Sequence, residues 1–147
     1  MSRVQLALNV TDVDAAVSFY EKVFGTPVNK RRPGYANFAI AEPPLKLVLI
    51  ENTEGGGTLN HLGVEVESTG EVNAATSRFV EDGLTTFEEQ GVECCYAKQD
   101  KVWLTDPDGR GWEFYTVLSD SQKMSDSSEE DGCCTTTQEG ATACCSA

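Results

Sequence analysis

The feature that most constrains this chain is that it nearly repeats itself. Gln5-Leu6-Ala7-Leu8-Asn9-Val10 alternates polar and apolar positions, as a strand with one buried face does. His61-Leu62-Gly63-Val64-Glu65-Val66 does the same 56 residues later. Each run leads into a helix start. Thr11 or Asp12 caps a helix through Ala15, Ala16, Phe19, Tyr20 and Val23 that stops at Gly25, and Ser68 or Thr69 caps another through Val72, Ala75, Phe79 and Val80 that stops at Gly83. Strand-like runs follow each helix. In the first half they lie near Val28, at Tyr35–Ala41 and at Leu45–Glu51; in the second they lie at Leu84–Glu88, Val92–Ala97, Lys101–Thr105 and Gly111–Val117. Asp106-Pro107-Asp108-Gly109 reads as the turn before the last strand, and the glycine-rich stretch 54–58 as the hinge between halves. The order is β-α-β-β-β, twice.

This pattern predicts an α+β fold. Two βαβββ modules, about 3–53 and 59–118, form a curved mixed sheet with helices outside. Such modules pair within one chain or between two, so both a single copy and a dimer agree with the sequence. From residue 119 to 147 the chain has no Leu, Ile, Val, Phe, Tyr or Trp and is rich in Ser, Thr, Gly and acids. It cannot bury enough apolar surface to offset its ordering entropy, and is expected to be a disordered tail.

The net charge of −13 opposes binding to nucleic acid and to anionic membrane surfaces. No apolar run approaches the ~20 residues that span a bilayer. The N-terminus enters strand-like alternation directly, without an apolar leader, so a cytoplasmic, reducing setting is expected.

All six cysteines occur as adjacent pairs: Cys94-Cys95 within the folded part, and Cys133-Cys134 and Cys144-Cys145 in the tail. A disulfide between neighbours closes a tiny strained ring, whereas two adjacent thiolates grip one soft atom well. On a regular strand Cys94 and Cys95 face opposite sides. Joint capture therefore requires a loop or bulge there, for which Gly91 supplies freedom. Lys98 and Lys101 would lower the thiol pKa values if near. The ordinary alternative is a small buried core residue.

Gln5 and the single histidine, His61, occupy equivalent places on the first strand of each half. Glu113 lies on the last strand and shares a face with Tyr115, opposite Trp112 and Phe114. If the first strands lie side by side, an amide, an imidazole and a carboxylate converge and leave positions open on an octahedral ion. That is similar to the facial arrangement of non-heme Fe(II) oxygenases. Each residue also has an ordinary use, in a core hydrogen-bond network or on a solvated strand face. Tyr20, Phe38, Tyr96, Trp103 and Tyr115 are candidate pocket aromatics.

The doubled pattern, the Phe19-Tyr20-Glu21-Lys22-Val23-Phe24-Gly25 helix end, and the Asp106–Gly109 turn before Trp112-Glu113-Phe114-Tyr115 resemble the vicinal oxygen chelate superfamily. That superfamily includes glyoxalase I, extradiol dioxygenases and drug-sequestering proteins. Gln5, His61 and Glu113 together with Cys94-Cys95 resemble the C–As lyases, non-heme Fe(II) dioxygenases that cleave the carbon–arsenic bond of trivalent organoarsenicals. The resemblance implies that Gln5, His61 and Glu113 hold Fe(II) and that Cys94 and Cys95 hold arsenic. It also implies O2 as co-substrate and arsenic resistance as the role. Two other readings share the fold. A thiol-based protein would sequester organoarsenicals or drugs without turnover. A glyoxalase-like isomerase would work with Ni(II) or Zn(II) and be indifferent to Cys95→Ser, but needs a carboxylate base for which Glu51 is the one first-half candidate. The tail cysteines either pre-capture arsenic or are incidental thiols.

Overall fold

The computed structural model describes residues 1–124. Ten elements follow one another: β1 (Arg3–Val10), α1 (Val13–Phe24), β2 (Lys30–Arg32), β3 (Tyr35–Ile40), β4 (Leu45–Glu51), β5 (Leu59–Glu65), α2 (Thr69–Glu81), β6 (Phe87–Cys94), β7 (Ala97–Thr105) and β8 (Gly111–Asp120). They form the doubled β-α-β-β-β order. Asp12 caps α1 by accepting from Ala15 N, and Ser68 caps α2 by accepting from Glu71 N. Gly25 ends α1 in the left-handed region at φ 58°, where a side chain would be strained.

All eight strands share one curled mixed sheet, in the order β2-β3-β4-β1-β5-β8-β7-β6. The two modules meet at its centre, where β1 and β5 pair antiparallel. Each first strand lies parallel to the last strand of its own module, β1 beside β4 and β5 beside β8. The sheet is therefore two-fold symmetric in connectivity.

Strand alternation divides the side chains between two faces. Leu6, Leu8, Ala36, Phe38, Ile40, Leu47 and Leu49 pack under Val13 and Val17 of α1. Val102, Leu104 and Phe114 pack under Val72 and Phe79 of α2. Both helices thus cover the same face. The opposite face carries the polar groups of interest and a third cluster of Ala7, Tyr35, Val48, Ile50, Cys94, Tyr96 and Trp103.

The strand boundaries correct three expectations. The runs expected at Leu84–Glu88 and Val92–Ala97 overlap in one strand, β6 (Phe87–Cys94), because a bulge between Glu89 and Val92, with Gly91 at φ 62°, absorbs the break in alternation, and Ala97 instead begins β7. The run near Val28 is displaced to Lys30–Arg32, where pairing with β3 is available. β8 continues through Asp120, past the boundary expected at Leu118, because Ala97 and Lys98 still offer it ladder partners. Beyond it, Ser121 N donates to Tyr96 O, Tyr96 N to Lys123 O and Cys95 N to Met124 O. Cys133, Cys134, Cys144 and Cys145 lie outside the described residues.

Candidate active site

Gln5, His61 and Glu113 come together on the face away from the helices. The register places Gln5 opposite Gly63 and Gly63 opposite Glu113, across β1, β5 and β8. Gly63 makes this approach possible: a Cβ there would stand 2.9 Å from Glu113 Cγ and 3.0 Å from its carbonyl oxygen. The three side chains are 2–4% exposed by residue. Gln5 Nε2 donates to Glu113 Oε1 at 2.7 Å, and lies 3.2 Å from His61 Nε2, which in turn is 3.2 Å from Glu113 Oε1. Tyr115 OH donates to Gln5 Oε1.

A buried lysine completes the group. Lys101 Nζ donates to Glu113 Oε2 at 3.1 Å and stands 5.4 Å from the centre of the Trp103 ring. Burial works to raise the Glu113 carboxyl, but Lys101 and then His61 outweigh it and hold the carboxyl well below the usual carboxylate range. Glu113 is therefore an anion at neutral pH, with Oε2 held by Lys101 and Oε1 turned to His61. Trp103 packs edge-on against His61 at 5.4 Å and donates its Nε1–H to Glu89 at 2.9 Å.

The chemistry of this donor set fits a divalent ion. Nitrogen and oxygen ligands lie about 2.0–2.2 Å from such ions, so neighbouring corners of an octahedron are about 3 Å apart. The three separations match that spacing. Gln5 turns its nitrogen toward Glu113. A half-turn of the amide presents Oε1 instead and hands Nε2 to the Tyr115 hydroxyl, which accepts as readily as it donates. Among the described residues no three His, Cys, Asp or Glu side chains gather as a metal site, so a centre here relies on the amide.

The internal symmetry yields no fourth donor. Ala7 opposite Val48 repeats the pairing of Gly63 with Glu113, so the counterpart of Glu113 is the buried, apolar Val48. Glu51 sits at the end of β4 on the helix face, where it accepts from Val13 N at 3.2 Å. It is on the wrong side of the sheet to serve as a base beside the trio.

The cysteine pair lies where β6 turns into β7, the loop that joint capture requires. Cys94 is the last residue of β6 and pairs with Ala97, so Cys95 and Tyr96 form a two-residue hairpin loop. Both have positive φ, 53° and 59°, as a type I′ turn requires; such turns ordinarily use Asn-Gly. The turn brings Sγ of Cys95 to 3.3 Å from Sγ of Cys94, a contact well outside the ~2.05 Å of a disulfide bond. Cys94 is fully buried and disulfide-bonded, so it requires reduction before it can ligate anything else. Burial pushes the Cys95 thiol up to about 12, against the opposing pull of Lys101 first, then Lys46 and Lys30. Lys98, the other expected cation, is exposed and not among these influences.

The pair and the trio share one face. Trp103 belongs to the same buried cluster as Cys94 and packs edge-on against His61, and Cys95 feels the charges of Lys101 and Glu113. Of the candidate aromatics, Tyr96, Trp103 and Tyr115 lie on this face, whereas Phe38 and Tyr20 pack with α1. Lys101's place beside Glu113 was not assigned from sequence. The signal was there in the Asp106–Gly109 turn: it sets Trp103 opposite Glu113 and Lys101 opposite Tyr115. Asn60, whose Oδ1 lies 2.7 Å from His61 Nδ1, left no such signal.

Residues 3–114 match the model of the Glyoxalase/Bleomycin resistance protein/Dioxygenase superfamily. The chain belongs to this superfamily. Among its relatives, cadmium-induced protein CadI of Mycobacterium tuberculosis is 62% identical over 122 residues, 83% of this chain and 80% of that protein. The trivalent organoarsenical cleaving enzyme of Thermomonospora curvata is 58% identical over 126 residues, 85% of this chain and 83% of that one. The Mn(II)-bound glyoxalase of Novosphingobium aromaticivorans shares the fold, with a TM-score of 0.57 at 20% identity over 84% of this chain and 42% of its own. Among the described residues no helix is long and apolar enough to cross a membrane.

Proposed function

We propose that this protein cleaves the carbon–arsenic bond of trivalent organoarsenicals such as methylarsenite, as a non-heme Fe(II) dioxygenase of the cytoplasm that confers arsenic resistance. The observation that carries this reading is the presence, on one buried sheet face, of a Gln5–His61–Glu113 trio and a vicinal cysteine pair with sulfurs 3.3 Å apart. Relatives named trivalent organoarsenical cleaving enzyme support it. The name of the cadmium-induced relative agrees with a thiol pair, since cadmium too is thiophilic.

In this reading Cys94 and Cys95, both reduced, displace the two hydroxyls of CH3As(OH)2 and release two waters. Two As–S bonds anchor the arsenic and leave the methyl group projecting toward the trio, so the reaction becomes intramolecular. Bound Fe(II) would supply open coordination positions and the electrons that activate O2. Gln5, His61 and Glu113 would hold it, with Lys101 fixing the far oxygen of Glu113 and Trp103 screening His61 from water. The overall change, CH3As(OH)2 + O2 → As(OH)3 + CH2O, balances without an external reductant.

Val48 in place of a second carboxylate, and Glu51 on the far face, speak against a glyoxalase-type proton transfer. Metal removal separates turnover from sequestration. Reduced protein reconstituted with Fe(II) is expected to release inorganic arsenite from methylarsenite in air. The chelator-treated or Zn(II)-loaded protein is expected to retain methylarsenite unconverted. Equal retention without arsenite in all three would leave a sequestering protein.

A further inference from the structure

The glycine-rich connection between the modules does more than join them: it is one end of a hydrogen-bond chain that reaches the ring of His61. Thr58 Oγ1 donates to Gly55 O at 2.6 Å, and accepts from Asn9 Nδ2 at 2.9 Å. Asn9 Oδ1 accepts from Asn60 Nδ2 at 3.0 Å, and Asn60 Oδ1 lies 2.7 Å from His61 Nδ1. Asn9 and Asn60 are buried, at 1% and 3% exposure. The backbone locks the same loop onto β1, since Gly57 N donates to Asn9 O and Asn9 N to Thr58 O, both at 2.9 Å.

This chain has a fixed direction. The Gly55 carbonyl can only accept, so the Thr58 hydroxyl must donate to it and is left to accept from Asn9. Each amide then presents its oxygen to the next group, and the last oxygen, Asn60 Oδ1, demands a proton on His61 Nδ1. Reversing the chain would turn both amides and spend the single Thr58 proton on Asn9, so the bond to Gly55 would be lost. The other side of the ring accommodates this state: Gln5 Nε2 stands 3.2 Å from His61 Nε2 and 2.7 Å from Glu113 Oε1, so its two protons can serve both acceptors, whereas the competing tautomer would donate Nε2–H to Glu113 Oε1.

We infer that the chain Gly55–Thr58–Asn9–Asn60 holds neutral His61 as the Nδ1–H tautomer and so presents the Nε2 lone pair to the metal position. Thr58, Asn9 and Asn60 are positioning residues, and the inter-module loop sets the ligand state of a histidine it does not touch. The functional meaning rests on His61 being a ligand; the tautomer does not.

The sequence contains one histidine, so a tag-free, 15N-histidine-labelled protein gives the imidazole spectrum of His61 alone. Recorded without metal at alkaline pH, where imidazole is neutral, the wild type is expected to show a pyrrole-type Nδ1 and a pyridine-type Nε2. Thr58→Val, at an exposed position, removes the anchor of the chain and is expected to raise the Nε2–H population, with Thr58→Ser restoring the wild-type spectrum. Mn(II) affinity, followed by electron paramagnetic resonance, should fall about 10-fold in Thr58→Val and recover in Thr58→Ser. A wild-type spectrum dominated by Nε2–H, or one unchanged in Thr58→Val, would overturn the inference. Failure of the wild type to bind Mn(II) or Fe(II) would instead remove the metal reading and leave the tautomer result standing.

Discussion

Lys101 decides the charge of Glu113. Burial alone would neutralise that carboxyl, and the lysine 3.1 Å away reverses the outcome. Because the folded pKa is depressed, the pair contributes stability that is fully present above the unfolded carboxyl value of about 4.3 and lost as pH falls below it. Lys101→Met strands a buried anion and should cost about 3–5 kcal/mol at pH 7, read by urea unfolding of the metal-free protein. In that variant burial is opposed by His61 alone, so the stability lost on acidification from pH 7 toward 4 should be smaller than in the wild type. The Cys95 thiol gives a second pH dependence. With its pKa pushed up to about 12 by burial, its thiolate fraction rises tenfold per pH unit at neutral pH. The rate of methylarsenite capture by the reduced, metal-free protein should therefore climb about tenfold per unit from pH 7 to 9 in stopped flow. A plateau in that range would show that the protonated thiol reacts.

At the level of elements, the β6–β7 hairpin carries the unusual feature. Cys95 and Tyr96 occupy turn positions that favour Asn-Gly, and each non-glycine residue at positive φ costs on the order of 1 kcal/mol. The turn brings the two sulfurs to 3.3 Å, where a regular strand would splay them. Cys95→Ala keeps the strain and Cys95→Gly relieves it, while both delete the thiol. The glycine variant should be the more stable by about 1 kcal/mol in urea unfolding, and neither should hold methylarsenite. Sequence alternation demands a loop at this pair only if both sulfurs grip one atom, because neighbouring side chains on a strand face opposite sides. It was not enough to locate β6. Gly91 hides a continuous strand behind a bulge, and a bulge shifts the very periodicity from which strands are read. Gln5 and His61 were legible for the opposite reason, since matched positions on symmetry-related strands survive small errors in strand ends, and Glu113 followed from alternation on the last strand. Lys101 and Asn60 needed register and side-chain direction, which alternation alone does not supply.

Across the whole molecule, the pseudo-two-fold seam between β1 and β5 lets a site be built from both halves, with Gln5 from one and His61 and Glu113 from the other. The helices pack on the outer face, and the inner face carries the trio and the Cys94 cluster. The edge of the second module is finished by residues 119–124, which tie β8 to the cysteine turn through Ser121 and Met124 and to β2 through the ion pairs of Asp120 with Lys30 and Arg32. Truncation after Met124 should therefore leave methylarsenite turnover intact under reducing conditions. Truncation after Leu118 should loosen the turn and weaken methylarsenite retention, read by equilibrium dialysis. The central claim is that the trio and the cysteine pair act on one substrate, and single turnover tests it most directly. Reduced, Fe(II)-loaded protein is given methylarsenite anaerobically, O2 is admitted, and arsenic species are separated and quantified beside His61→Ala and Cys95→Ser. The account predicts one inorganic arsenite per site in the wild type, bound but unconverted methylarsenite in His61→Ala, and neither retention nor conversion in Cys95→Ser. Arsenite formed at the wild-type rate in either variant, or none formed in the wild type, would contradict it.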